Sequence, residues 1–205
     1  HEKGTPLVRA AHREQWGCVD MLLKYKADPT AVAPLTQETA LHKAARAGCE
    51  SAIHNLVKAR ASVNAPNLEG DTPLHLATGC REGAALNAIL QYQPNINAMN
   101  IRGDTPLHIA AVKAPEHTRT LLQSGAVATA RNKQQRMPID LTGSTEAHHL
   151  LNEAARHHRG WVPHEKGGSN DDEIIYSSDH MRHIRYTGVL LQDPSTELVL
   201  LEGLL

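Results

Sequence analysis

Apolar residues occur in pairs three positions apart, and the pairs recur at a nearly constant interval along the first half of the chain. The pairs are Val19 with Leu22, Ile53 with Leu56, and Leu86 with Ile89. Residues three apart lie on one face of an α-helix, so each pair predicts a short amphipathic helix. A fourth such helix, which contains Thr118 and Leu121, is predicted to begin one residue early because the preceding turn near Ala114 is one residue shorter.

A motif led by threonine or methionine precedes each of these pairs. Residues 70–77 read GDTPLHLA and residues 103–110 read GDTPLHIA; related segments begin at Thr5 and Thr39, and a degenerate one begins at Met137. A threonine hydroxyl can cap a helix, and proline is tolerated at the first helical position. Each unit is therefore predicted to contain a helix, a turn, a second helix and an extended finger.

These motifs resemble the ankyrin repeat, which has a length of about 33 residues and the signature T-P-L-H-x-A. The resemblance implies an all-α fold, an ankyrin-repeat solenoid of helix-turn-helix units with β-hairpin fingers. It implies that the motif histidines His42, His75 and His108 bond near the capping threonine and link adjacent repeats. The predicted domain covers residues 1–158, with repeats at 4–37, 38–70, 71–103 and 104–135 and a degenerate cap at 136–158.

The composition changes after the predicted cap. Residues 159–172 are rich in glycine, proline and polar residues and are predicted to form a linker. Residues 173–205 contain short β-type runs on either side of Pro194, which predict a β-hairpin. Its apolar residues require a surface to cover them. Three alternatives remain: the hairpin packs on the solenoid, it binds a partner protein, or it begins a following domain.

Composition narrows the functional classes. A net charge of −1 and a pI near 7 disfavour a nucleic-acid-binding protein, and no apolar run is long enough to insert into a membrane. Three cysteines without a C-x-x-C pair favour a reducing compartment. We therefore expect a monomeric, cytoplasmic protein, with a nuclear location as the alternative.

No sequence motif for catalysis or phosphate binding occurs, so we expect neither an enzyme nor a bound cofactor. His149, Glu153 and His157 are four residues apart and could share one helix face as metal ligands do. No further ligand has suitable spacing, and a solvated helix face explains the three residues better.

The resemblance implies a groove for a partner protein, lined by the fingers and the inner helices. The residues that it places there are Pro66, Leu68, Glu69, Asp71, Met99, Ile101, Arg102, Asp104, Lys113, Arg131, Lys133 and Arg136. Apolar residues form the centre of this set, and its charge changes from acidic at Glu69 to basic at Arg131 and Lys133. We expect a bound segment with its acidic end toward the basic residues.

The expected function is that of a scaffold or adaptor in protein-protein interaction. Two alternatives remain. One is a regulatory ankyrin domain of a larger enzyme whose catalytic domain follows residue 186. The other is an IκB-like inhibitor that masks a signalling partner, because the sequence PIDLT and the following STEAHHLLNEAA are similar to terminal repeats of that group.

Overall fold

The structure is a computed structural model that describes residues 4–80 and 83–156. Within these ranges eight α-helices form four consecutive pairs and a ninth follows them. They are α1 (Pro6–His12), α2 (Trp16–Lys24), α3 (Ala40–Arg46), α4 (Glu50–Lys58), α5 (Pro73–Thr78), α6 (Gly83–Leu90), α7 (Pro106–Lys113), α8 (Thr118–Gln123) and α9 (Thr145–Arg156). The first helices α1, α3, α5 and α7 pack side by side, and α4 packs between α2 and α6. This two-layer stack confirms the predicted all-α solenoid.

Each of the first helices begins after the predicted threonine. The hydroxyl of Thr39 accepts the backbone N–H of His42 at 3.4 Å, and the ring Nδ1 of His42 accepts the backbone N–H of Thr39 at 3.1 Å. The same return bond joins Thr72 to His75 and Thr105 to His108, at 3.1 and 3.2 Å. These reciprocal bonds satisfy backbone donors that a helix start leaves without a partner.

The same histidines connect each repeat to the next. The Nε2 of His42, His75 and His108 lies 3.0, 3.1 and 3.1 Å from the backbone carbonyls of Asp71, Asp104 and Arg136. Because Nδ1 accepts the threonine N–H, the proton of the neutral ring is on Nε2 and is donated to that carbonyl. One side chain therefore fixes its own helix start and the finger of the following repeat.

Aliphatic side chains and alanines fill the space between the layers. Leu41, Leu74 and Leu107 at the same motif position are fully buried, and so are Ile53 and Ile89 of the second helices. Ala44, Ala77 and Ala110 are equally inaccessible. A small residue at that position lets neighbouring first helices approach closely, which explains why the core needs no phenylalanine.

The last two units depart from the regular repeat. A 3₁₀ turn, Pro115–His117, replaces the start of the second helix where a residue is missing. In the cap, the first helix is reduced to the 3₁₀ turn Pro138–Asp140. The helix α9 follows, and the hydroxyl of Ser144 accepts the N–H of Ala147 at 3.4 Å at its start. The outward residues His148, His149 and Arg156 are exposed and polar, as expected for a terminal unit.

The fingers are tight turns, although the resemblance implied β-hairpins. Within the described ranges no strand occurs, and the β-pairing there is a single bridge between Val32 and Thr39. Backbone N–H groups of the fingers donate to asparagine side chains and to the neighbouring finger, which leaves too few of them for a ladder within one finger. The described helices are too short or too polar to cross a membrane. The predicted linker and hairpin, and any catalytic domain after residue 186, lie outside the described residues.

The histidine bonds predict that the solenoid loses stability in mild acid. Burial lowers the pKa of His42, His75 and His108, although the carbonyl bonds partly oppose this effect. Below about pH 6.5, the histidines of the unfolded chain bind protons. The same histidines in the folded chain bind protons only at a lower pH, because folding lowers their pKa values. The free energy of unfolding is therefore independent of these histidines well above about pH 6.5 and falls below it, by at most about 1.4 kcal/mol per histidine per pH unit. Urea denaturation at pH 7.5 and 5.5 measures the loss.

Matched variants identify the source of this pH dependence. His75→Gln keeps an acceptor for the N–H of Thr72 but does not titrate, so the loss between the two pH values should be smaller than in the wild type. His148→Gln, at an exposed position of α9, should leave the loss unchanged. Equal losses in the wild type and in His75→Gln would contradict the assignment.

Candidate protein-binding surface

An asparagine at the base folds each of three fingers into a turn. The Oδ1 of Asn67 accepts the backbone N–H groups of Glu69 and Asp71, both at 2.9 Å. Asn100 and Asn132 make the equivalent pairs of bonds at 2.9 to 3.1 Å. An asparagine side chain that bonds the backbone two residues ahead substitutes for part of a backbone turn. The finger conformation therefore depends on one polar residue in each repeat.

The amide nitrogens of two of these asparagines connect neighbouring fingers. The Nδ2 of Asn100 donates to the Oδ1 of Asp71 at 2.8 Å, and the Nδ2 of Asn132 donates to the Oδ1 of Asp104 at 2.7 Å. Asp71 is nearly buried and Asp104 is only slightly exposed. Both carboxylates were predicted to contact a partner, but the structure gives them a part in holding adjacent fingers together.

Backbone bonds near the finger tips continue this linkage. The N–H of Leu68 donates to the carbonyl of Thr36 at 2.9 Å, and the N–H of Ile101 donates to the carbonyl of Glu69 at 2.9 Å. The N–H of Lys133 donates to the carbonyl of Arg102 at 3.0 Å. Four consecutive fingers are therefore joined by one main-chain bond at each junction, and their tips have a fixed spacing.

Glycine is required where one finger approaches the next. Gly70 and Gly103 have φ values of +74° and +77°, a region that side chains disfavour. A Cβ atom at Gly103 would lie 2.7 Å from the backbone nitrogen of Lys133, and one at Gly70 would lie 2.9 Å from that of Ile101. These are the nitrogens that donate the bonds between tips, so both glycines protect the junctions.

The tips present a row of apolar side chains. Leu35, Leu68 and Ile101 are 67%, 58% and 55% exposed, and they hold the same place in consecutive repeats, four positions before the capping threonine. Lys133 is the equivalent residue of the following, shorter repeat, as shown by its N–H, which makes the equivalent bond between fingers. We call these four residues the tip row. Leu35 was missed in the sequence, although counting back one repeat from Leu68 would have found it.

Other predicted contact residues lie beside the tip row. Pro66 and Met99 are found at equivalent places in their fingers, and Met99 is 58% exposed. Lys113 is exposed at the end of α7 beside Val112, which is 59% exposed. Exposed apolar side chains therefore also occur outside the tip row.

The predicted acidic side of the groove is largely neutralised. An oxygen of Glu69 lies 3.6 Å from Nη1 of Arg102, whose Nε lies 3.1 Å from Oδ2 of Asp104. Near the first finger, Glu38 is buried between Lys43 and Arg46, with both contacts at 2.6 Å. Burial raises the pKa of Glu38, but the bond from Lys43 and the two positive charges outweigh it and leave the pKa below its usual value. These acids are paired within the protein.

The basic side has exposed charges. Arg131, Lys133 and Arg136 are all exposed. Nη1 of Arg131 donates to the carbonyl of Gln135 at 2.7 Å, and the guanidinium of Arg136 contacts the side chain of Gln134. Lys133 makes no side-chain bond or ion pair with the described residues. The observed surface thus changes from apolar to basic along the stack.

Among residues 4–80 and 83–156, no group of three or more His, Cys, Asp or Glu side chains is arranged to hold a metal ion. An open depression of about 450 Å³ lies between α2 and α4, lined in part by Asp20, Lys24 and Lys58. It is formed by the second helices, whereas the exposed apolar row lies on the fingers.

Comparison with known protein families agrees with this architecture. A family model described as ankyrin repeats in three copies matches residues 41–132, and a model described as a single ankyrin repeat matches residues 3–33. No curated protein matches the chain. The longer matched segment includes Leu68 and Ile101 of the tip row and the neighbouring Met99, together with most of the helices that support them.

The junction glycines predict a contrast between two alanine substitutions. Gly103→Ala should destabilise the protein by about 2 to 3 kcal/mol, because it combines left-handed strain with displacement of the bond from Lys133 to Arg102. Gly17→Ala, at an open position of α2 with no neighbouring atom within 4 Å, should be neutral or stabilising by up to about 1 kcal/mol. Urea denaturation measures both, and equal effects would contradict a special role for Gly103.

Proposed function

This chain belongs to the ankyrin-repeat family, whose repeats mediate protein-protein interaction, and we propose that it is a scaffold or adaptor that binds one partner segment across its finger tips. The observation that carries the proposal is the exposed apolar row on fingers that are already bonded to one another. Exposed leucine and isoleucine side chains are stabilised by burial against a partner.

Rigidity supports binding at this surface. A partner that meets a disordered loop must order it, at a cost of about 1 to 2 kcal/mol per residue in backbone entropy. The asparagine turns and the bonds between tips already order these fingers. Binding then gains from apolar contact without that cost, which is the advantage of a preorganised surface.

The charges support a direction for the partner. Lys133, Arg131 and Arg136 lie at one end of the tip row, while Glu69 and Asp71 are engaged within the protein. An acidic residue of the partner is therefore expected near Lys133. Complementary charge of this kind increases the rate of association and fixes the direction of binding more than it increases affinity.

Truncation of two exposed side chains tests the proposal. Met99→Ala and Ile101→Ala should each weaken the complex by about 1 to 2 kcal/mol, because both remove apolar contact at the centre of the surface. Both residues are more than half exposed, so the melting temperature should not change. Binding is measured by quantitative affinity capture from cell extract, followed by titration of the captured partner.

The control is Tyr25→Ala, which removes a side chain that is 78% exposed just after α2. A specific partner should be lost from the Met99→Ala and Ile101→Ala proteins and retained by Tyr25→Ala. A captured set that is the same for all variants would place the binding surface elsewhere.

A further inference from the structure

The tip row has a repeat distance that restricts the conformation of its partner. The tip residues Leu35, Leu68 and Ile101 precede α3, α5 and α7, which pack side by side. Packed helices lie about 8 to 10 Å apart. The tip bonds at 2.9, 2.9 and 3.0 Å keep adjacent fingers together, so equivalent tip residues are about 8 to 10 Å apart.

Among extended conformations, the polyproline II helix matches this distance. It has three residues per turn and a rise of about 3.1 Å, so every third side chain returns to the same side after about 9.3 Å. A β-strand presents a side chain to one face every second residue, after about 6.7 Å, and loses register at the second finger. Matching over three fingers therefore favours polyproline II over a strand.

An α-helix matches the distance but not the width of the row. Seven helical residues span about 10.5 Å, so residues one heptad apart could meet successive fingers. The apolar face of such a helix is a stripe at least about 100° wide, which needs an apolar surface on both sides of the row. Leu68 and Ile101 are followed directly by the charged residues Glu69 and Arg102, which are paired with each other. A row that is bordered by charge on this side suits an extended segment.

The last residue of the tip row indicates a charged group in the ligand. After Leu35, Leu68 and Ile101, the fourth position is Lys133, whose ammonium group has no partner among the described residues. An ammonium group beside an apolar surface favours a carboxylate in the ligand. The same three-residue step that connects the apolar contacts would bring that carboxylate to Lys133.

We propose that the tip row binds a polyproline II segment with an apolar side chain at every third residue and a carboxylate one step beyond the last of them, next to Lys133. This inference rests on the proposed function and names the chemistry of its partner. The contacts are Leu35, Leu68 and Ile101 for the apolar side chains and Lys133 for the carboxylate.

The test uses the full chain and synthetic peptides with a fluorescent label. The first peptide has leucine at every third position, proline between the leucines, and glutamate three positions beyond the last leucine; a second has the reversed order. A strand control has leucine at every second position, the same glutamate, and threonine in place of proline, because proline would keep the peptide out of the β conformation. A helical control has leucines and glutamate at heptad spacing in an alanine-rich sequence. Fluorescence anisotropy should show saturable binding of one proline-rich peptide and binding at least about 10-fold weaker for both controls.

Variants of the chain locate the contact. Leu68→Ser and Ile101→Ser should each lower the affinity for the proline-rich peptide about 10-fold, and Tyr25→Ser should leave this affinity unchanged. Lys133→Glu should weaken the peptide that bears glutamate, and a peptide with lysine in place of the glutamate should restore binding to Lys133→Glu. Restoration requires the two charges to meet, which a general loss of folding would not produce.

Three results would overturn the inference. Either control could bind more tightly than the proline-rich peptides, neither proline-rich peptide could show saturable binding, or binding could be unchanged in Leu68→Ser and Ile101→Ser. A second copy of the chain on the row would also overturn it, and sedimentation would show this as a dimer that Leu68→Ser dissociates. If a captured partner is lost from Met99→Ala while every proline-rich peptide fails, the proposed function stands and only the partner chemistry is wrong. If captured partners also ignore that variant, both proposals fail.

Discussion

The bond from a buried histidine to the carbonyl of the next finger is the interaction on which the rest of the structure depends. In three successive repeats the ring accepts from its own capping threonine and donates to a carbonyl of the following repeat. It works only while the ring is neutral, because a protonated Nδ1 cannot accept the threonine N–H. Helix start, repeat spacing and finger position are therefore set by the same side chain. The first repeat, with Val8 at this place, keeps only a long bond of 3.5 Å from the N–H of Val8 to the hydroxyl of Thr5.

A second set of bonds converts repeat stacking into a surface. The helix layers fix where each finger begins, but they do not fix the conformation of its tip. Asn67, Asn100 and Asn132 fold the tips, and Asp71 and Asp104 accept from the asparagine of the following finger. Gly70 and Gly103 leave room for the next backbone. The polar groups of these fingers are thus hydrogen-bonded within the protein. The side chains that remain available to a partner on these fingers are mostly apolar.

Much of the fold could be predicted from the sequence because its signals are local and repeated. Threonine caps, proline at the first helical position and aliphatic pairs three apart recur in register, so errors at one repeat are corrected by its neighbours. The register showed that one residue is missing before Thr118, and the structure has the 3₁₀ turn Pro115–His117 at this place. The tight-turn form of the fingers was not predicted, because it depends on bonds between residues of different repeats.

The candidate surface was predicted less completely, for a physical reason. A sequence shows that a residue is charged but not whether its charge is already paired. Asp71 looked available and is nearly buried against Asn100, while Glu69 is paired with Arg102. Exposed apolar residues were easier to predict, since Leu68, Met99 and Ile101 occur where the repeat has no core position.

Backbone hydrogen exchange, measured residue by residue by NMR, tests most directly whether the fingers form a preorganised row. The informative amides are those of Leu68, Ile101 and Lys133, which donate the bonds between tips. If the row is preformed, these amides exchange as slowly as those in the middle of α3 and α5, because opening them requires separating two repeats. Exchange at the rate of an unstructured peptide, while the helices remain protected, would show that the tips are not ordered before binding and would contradict the account.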